Sequence, residues 1–133
     1  MRFVLDSGAM IAYLRHEPGA EAVRDLVAKE PPSCFAHAVN MCEVYYYFLR
    51  RGGEEAAQIA VEGLRSVGVL VREDMDEALW QQAGMYKVRC EVPLADAFAI
   101  SLAERLEAEI VTSDRGDFEP LARAGVCRVR FIR

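Results

Sequence analysis

Five acidic residues stand where their neighbours are apolar or turn-forming. Asp6 ends the apolar run of "FVLDSGAMIAYL", Glu43 is the lone carboxylate of "NMCEVYYYFL", Asp96 interrupts "VPLADAFAISLA", and Asp114 and Asp117 lie in "IVTSDRGDF". An ionised carboxylate taken out of water without partners costs on the order of several kcal/mol. Each acid has an ordinary structural use. Asp6 suits the cap of a following helix. Asp96 gains from the macrodipole of a helix start. Asp114 and Asp117 suit a turn and a helix start ahead of "FEPLARA", and Glu43 suits the margin of an apolar face. Only a shared site gives all of them one reason. Oxygen-only donors select hard divalent cations, Mg²⁺ or Mn²⁺. Ions held this way suit phosphodiester hydrolysis, because they acidify a water and stabilise charge on the attacking and leaving oxygens.

Competing chemistries have little support. Cys34, Cys42, Cys90 and Cys127 are far apart with no CxxC pattern, so free thiols are expected and zinc is not. His16 and His37 have no motif partner and read as surface or structural groups, and neither a P-loop nor GxGxxG occurs. The formal net charge of −5 weighs against coating nucleic acid through phosphate contacts alone, yet leaves room for an acidic site neutralised by metal. Asp6 interrupts the apolar N-terminal run too early for a signal peptide, and no apolar stretch is long enough to cross a bilayer. The expectation is a cytoplasmic protein forming a single domain over residues 1–133, with no membrane association.

The elements that must position these acids alternate. Strands are expected at 2–5, 34–36, 67–72, 109–112 and 126–132. Helices are expected at 7–14, at 20–29 (ended by the prolines of 31–33), at 38–50 (ended by Gly52-Gly53), at 54–66, at 75–90, and from Pro93 to about Leu106. The 38–50 helix has Val39, Cys42, Tyr46 and Leu49 at helical spacing. The helix after Pro93 has the clearest stripe, through Ala95, Phe98, Ala99, Leu102, Ala103 and Leu106. Such alternation predicts an α/β fold, a three-layer α/β/α sandwich with a mainly parallel central sheet. In such sheets ligands bind outside the carboxyl ends of the strands, where Asp6 and Asp114 are expected.

With "VLDSGAMIAYL", "NMCEVYYYFL", "LADAFAISLAERLEAEIVTSD" and "SDRGDF" in this order, the chain resembles the PIN domain family over essentially its whole length, at the size of VapC toxins. The resemblance implies that Asp6, Glu43, Asp96 and Asp114 are a metal-binding catalytic quartet. By the same likeness, Asp117 is an auxiliary acidic position, and Ser7 and Thr112 are hydroxyls orienting the quartet. It further implies a Mg²⁺- or Mn²⁺-dependent ribonuclease, a homodimer, and a small antitoxin partner whose tail blocks the acidic cleft. Gly8 stands where Ser or Ala is more usual in the family, a departure expected to touch no ligand.

Two other uses of the same fold compete: a non-catalytic scaffold that binds metal or a protein, and a stand-alone RNA-processing nuclease. A haloacid-dehalogenase-like phosphatase would want an acid at position 8, and a receiver domain a late lysine, whereas the lysines are Lys29 and Lys87. Arg50, Arg51, Lys87, Arg89 and Arg115 are candidates for guiding RNA phosphates. Arg128 and Arg130 read as protection of an edge strand. "YYYF" (45–48) covers more than one helical face, so some of its rings are expected at the surface, as a dimer or antitoxin contact.

Overall fold

A computed structural model describes residues 1–29 and 32–133. In chain order the elements are β1 (Phe3–Leu5), α1 (Ser7–Leu14), α2 (Ala20–Val27), β2 (Cys34–His37), α3 (Ala38–Ser66), β3 (Leu70–Arg72), α4 (Glu77–Cys90), α5 (Leu94–Leu106), β4 (Glu109–Thr112), α6 (Arg115–Arg123) and β5 (Val129–Phe131). The strands form one sheet in the order β3-β2-β1-β4-β5, and every pairing is parallel.

Strand alternation divides the core into two layers. Phe3 and Leu5 of β1, with Val111 of β4, pack against α1, α2 and the α3 residues Met41, Val44, Ala60 and Leu64. Val4 and Ile110, one residue out of phase, face Leu79 and Ala83 of α4, most of α5, and Phe118 and Leu121 of α6. A period of two thus sends neighbouring side chains to opposite helical layers, which produces the expected three-layer sandwich. Since both faces of β1 are covered, Phe3, Val4 and Leu5 are all buried. Among the described residues no helix is long and apolar enough to cross a membrane.

Several expected boundaries move. The third strand is Leu70–Arg72 and the fifth Val129–Phe131, both shorter than expected. The second strand extends to His37, the fourth helix begins at Glu77, and the second ends at Val27; its proposed break at Pro31 falls outside the described residues. The pair 38–50 and 54–66 is one helical run broken at Gly53, whose φ of 80° and ψ of −174° lie in backbone space open mainly to glycine.

The face of α3 is also corrected. Met41 and Val44 are buried and Phe48 packs partly against the same layer, while Cys42, Tyr46 and Leu49 are exposed. An apolar segment admits more than one helical stripe, and polar groups select between them. Asn40, fully buried, accepts from Ser7 N at 3.3 Å and donates Nδ2 to Ala95 O at 3.2 Å. His37 caps the helix by accepting from Val39 N at 3.0 Å. These bonds fix the rotation that puts Tyr46 outside.

Candidate functional site

The sheet order explains how distant acids meet. β1 is central, and the chain leaves it through β2 and β3 before returning on its other side as β4. The carboxyl ends of β1 and β4 are therefore adjacent, at the kind of crossing point where open α/β sheets form a crevice. Asp6 follows β1 and caps α1, accepting from Ala9 N at 2.8 Å. Asp114 follows β4 and caps α6, accepting from Asp117 N at 3.0 Å. Their capping uses are real, and they leave carboxylate oxygens over for other partners.

Thr112 ties the two acids. Its Oγ1 donates to Asp6 Oδ2 and accepts from Asp114 N at 2.9 Å. Ser7 acts likewise on Glu43, donating Oγ to Oε1 at 2.8 Å, while the Tyr46 hydroxyl donates to Oε2 at 3.4 Å. Asp96 lies in the first turn of α5, half-buried, and its Oδ2 is enclosed without any hydrogen-bond partner. Carboxylate oxygens of Asp96, Asp114 and Asp117 lie within 4.8 Å of one another. Asp117, expected as an auxiliary, is thus part of the tightest group. Asp6 lies close enough to influence Asp96, and both Asp114 and Glu43 act on Asp6.

Burial dominates the electrostatics. It pushes Asp6 up to about 6, against the lowering effect of the Thr112 and Ala9 hydrogen bonds, and the charges of Asp114 and Glu43 add to the rise. It pushes Asp96 up to about 8, assisted by the neighbouring Asp117 carboxyl and by the charges of Asp6, Asp117 and Asp114. Asp117 is also raised, first by desolvation. Among the described residues none of the five acids forms a salt bridge. Without an outside cation, Asp96 Oδ2 stays enclosed and unpartnered, and Asp96 and Asp117 press each other towards protonation. A cation bound between them would relieve both, so the donor set fits a hard divalent ion.

Several residues here escape sequence reasoning. His37 and Asn40 are both buried; the signal for Asn40 was a polar residue inside "AVNMC", and for His37 its place just ahead of a helix. His37 Nε2 meets Asp74 O at 2.9 Å, and its ring lies 4.9 Å from that of Phe98, so its role is structural. Ser113 carries no sequence signal. A Cβ on Gly8 would lie 3.1 Å from Ser113 Oγ and 3.5 Å from Asp6 Oδ1. The departure at Gly8 was expected to touch no ligand; a side chain at position 8 would border the Asp6 carboxylate.

The candidate guiding cations divide. Arg115 donates to Arg133 O and to Glu119, and lies over the Phe131 ring, facing away from the acids on either side of it in sequence. Lys87 donates to Val92 O. Arg128 and Arg130 hold the β5 edge, donating to Glu107 O and to the Glu109 carboxylate. Cavities of 570 Å³ and 670 Å³ elsewhere are lined by none of the five acids.

The sequence model of a family described as "PIN domain" matches residues 3–124. Comparison with curated proteins gives no match. Among solved structures, VapBC2 from Rickettsia felis bound to a DNA fragment from its promoter is similar at a TM-score of 0.75 and 15% identity, covering 98% of each chain. A toxin-antitoxin complex from Klebsiella pneumoniae is similar at 0.73 and 15% identity, over 98% of this chain and 97% of that one. VapC20 from Mycobacterium tuberculosis, a sarcin-ricin loop cleaving toxin, is similar at 0.69 and 19% identity, over 89% and 94%.

Proposed function

The chain belongs to the PIN domain family, and from that premise we propose that it is a divalent-metal-dependent ribonuclease, the toxin of a toxin-antitoxin pair. The observation that carries this reading is the set of Asp96, Asp114 and Asp117 oxygens within 4.8 Å, with Asp96 Oδ2 enclosed and unpartnered. Asp6, Glu43, Asp96, Asp114 and Asp117 are the residues that would hold Mg²⁺ or Mn²⁺. Bound there, the cation supplies acidity to a water and stabilises charge on phosphoryl oxygens.

The chain's own contribution is position. Thr112 and Ala9 N hold Asp6 by two bonds, so its carboxylate has one orientation. Ser7 holds Glu43, and Asn40 locks the start of α1 to α3 and α5, keeping the acids of three helices in register. Burial favours the protonated forms of Asp6, Asp96 and Asp117, and a bound cation would oppose it.

The likeness to toxin-antitoxin complexes supports a small antitoxin partner that covers the acidic cleft. A homodimer is proposed through the outer face of α4. There Met85 and Val88 are 41% and 78% exposed, and Glu77 and Arg89 near opposite ends let an antiparallel copy pair opposite charges. The test is incubation of purified protein with RNA in Mn²⁺, where cleavage is expected and EDTA abolishes it. Metal binding without cleavage would leave a binding scaffold instead. If expression is harmless and no small protein co-purifies, a stand-alone processing nuclease replaces the toxin reading.

A further inference from the structure

We propose that Tyr46 and Arg50 form a platform on which one base of a single-stranded RNA substrate stacks beside the acidic cleft, an assignment that rests on the nuclease reading above. Glu43, Tyr46 and Arg50 are spaced three and four residues apart on α3, so acid, ring and cation share one face leading out of the cleft. The Tyr46 hydroxyl donates to Glu43 Oε2 at 3.4 Å, which sets the ring at the lip of the site. Tyr46 is 43% exposed, on a helix whose Met41 and Val44 are buried.

Arg50 is placed over the Tyr46 ring, 5.4 Å from its centroid. Among the described residues it has no carboxylate partner, although Arg72, Arg105, Arg115 and Arg130 each have one. A stacked guanidinium keeps its N–H edge for an outside acceptor, and a phosphate oxygen matches that edge. The motif is repeated alongside, where Arg51 and Arg15 lie 3.6 and 5.6 Å from the centroid of the Tyr47 ring. Arginine–tyrosine stacks therefore run along α3 away from Glu43, with Arg15 also paired to Glu17 at 3.5 Å.

An anionic strand entering an acidic cleft is repelled unless a local positive field brings it in. Rings interleaved with arginines are also how proteins hold single strands, since every base has a face to stack. An apolar partner helix matches these stacks poorly, because it would cover Arg50 without supplying an acceptor.

The test uses the full chain in an Asp96→Asn background, which keeps the RNA whole. The probe is a single-stranded RNA oligomer with 2-aminopurine at each position in turn, whose emission falls when the base stacks. Quenching on binding is expected at one position. Tyr46→Phe should preserve it, while Tyr46→Leu abolishes it and weakens binding roughly 5- to 140-fold, the worth of one base–ring stack. Arg50→Ala should lower the slope of log affinity against log salt by about 0.7, one phosphate contact on a single strand.

Unchanged quenching and affinity in Tyr46→Leu and Arg50→Ala overturn the platform but leave the nuclease reading, which is decided separately by metal-dependent cleavage in the wild type. Equal losses in Tyr46→Phe and Tyr46→Leu overturn it as well, because the hydroxyl's hold on Glu43 then matters and the ring does not. Normal RNA binding by a Tyr46→Leu protein that no longer dimerises would mark a protein contact and sink the proposal. Absence of RNA binding by the Asp96→Asn chain sinks it too.

Discussion

Asp74 and Asp76, between β3 and α4, and Asp96, Asp114 and Asp117, at the starts of α5 and α6, are clusters of the same side chain in opposite company. Arg72 meets Asp74 at 2.8 Å, and Arg105 reaches Asp74 at 3.0 Å and Asp76 at 2.6 Å. Those hydrogen bonds hold both carboxyls below the usual range, Asp74 chiefly through Arg72 and Asp76 through Arg105. The other cluster has an arginine beside it in sequence as well, in "SDRGD", but Arg115 turns to Glu119, Arg133 O and the Phe131 ring. Among the described residues one cluster is neutralised by its own chain and the other has no salt bridge. Asp114 accepts from a backbone amide and Asp96 Oδ2 has no partner, the company that the proposed cation site requires.

The sharpest way to break this contrast is activity. Asp6→Asn and Asp96→Asn should each abolish RNA cleavage with the fold intact by circular dichroism, and Thr112→Val should lower it about 10- to 100-fold. Asp74→Asn should leave cleavage intact and cost about 1–3 kcal/mol of stability. Loss of cleavage in Asp74→Asn with retention in Asp96→Asn would reverse the two assignments.

Melting curves separate the clusters next. Mn²⁺ at about 100 times its Kd should add about 2.7 kcal/mol to the native state, on the order of 10 °C for a chain of this size. Asp96→Asn should remove most of that shift while raising the melting temperature in EDTA above pH 8, where wild-type Asp96 is ionised and repels its neighbours. Glu43→Gln should act the same way more weakly, and Asp74→Asn should keep the full shift. An unaltered Mn²⁺ shift in Glu43→Gln takes Glu43 out of the site.

The pH dependence should differ in sign. Asp6 at about 6 and Asp96 at about 8 hold protons more tightly folded than unfolded. Their contribution is full below an ordinary carboxylate pKa of about 4 and is lost as pH rises through 6 and then 8. Asp74 and Asp76, depressed, contribute above about pH 4 and lose that contribution on acidification. In EDTA the melting temperature should therefore fall between pH 5 and 8.5 (both outside the acid limb), and Asp96→Asn should flatten the upper part. A wild-type melting temperature that climbs over this window contradicts the raised acids.

The positions of the acids, though not this contrast, were legible in the sequence. A carboxylate straight after "FVL", or one residue beyond "EIVT", is placed by the parallel sheet at a strand's carboxyl end, and the α5 stripe carries Asp96 with it. What stayed hidden was pairing across space. "VREDMDE" looks as acidic as "TSDRGDF", and only the fold brings Arg105 to the first while sending Arg115 away from the second. The rotation of α3 was misread for the same reason: Asn40 fixes it through partners 33 and 55 residues away.

The smallest expected effect concerns Gly8. Gly8→Ala places a methyl 3.1 Å from Ser113 Oγ and 3.5 Å from Asp6 Oδ1, so a modest loss of about 1 kcal/mol or less is expected. Ser113→Ala should restore it, measured by thermal melting of the single and double variants. If the double variant is no better than Gly8→Ala, the crowding lies elsewhere.

Thr112 joins Asp6 across 106 residues of chain, and that separation has a consequence for synthesis. A ribosome makes Asp6 more than a hundred residues before Thr112 and Asp114. Until β4 has emerged and slid in beside β1, the first acid has neither its hydroxyl partner nor the Asp114 carboxylate. In a nascent chain the cluster therefore comes into being only after the segment through Asp117 has left the ribosome.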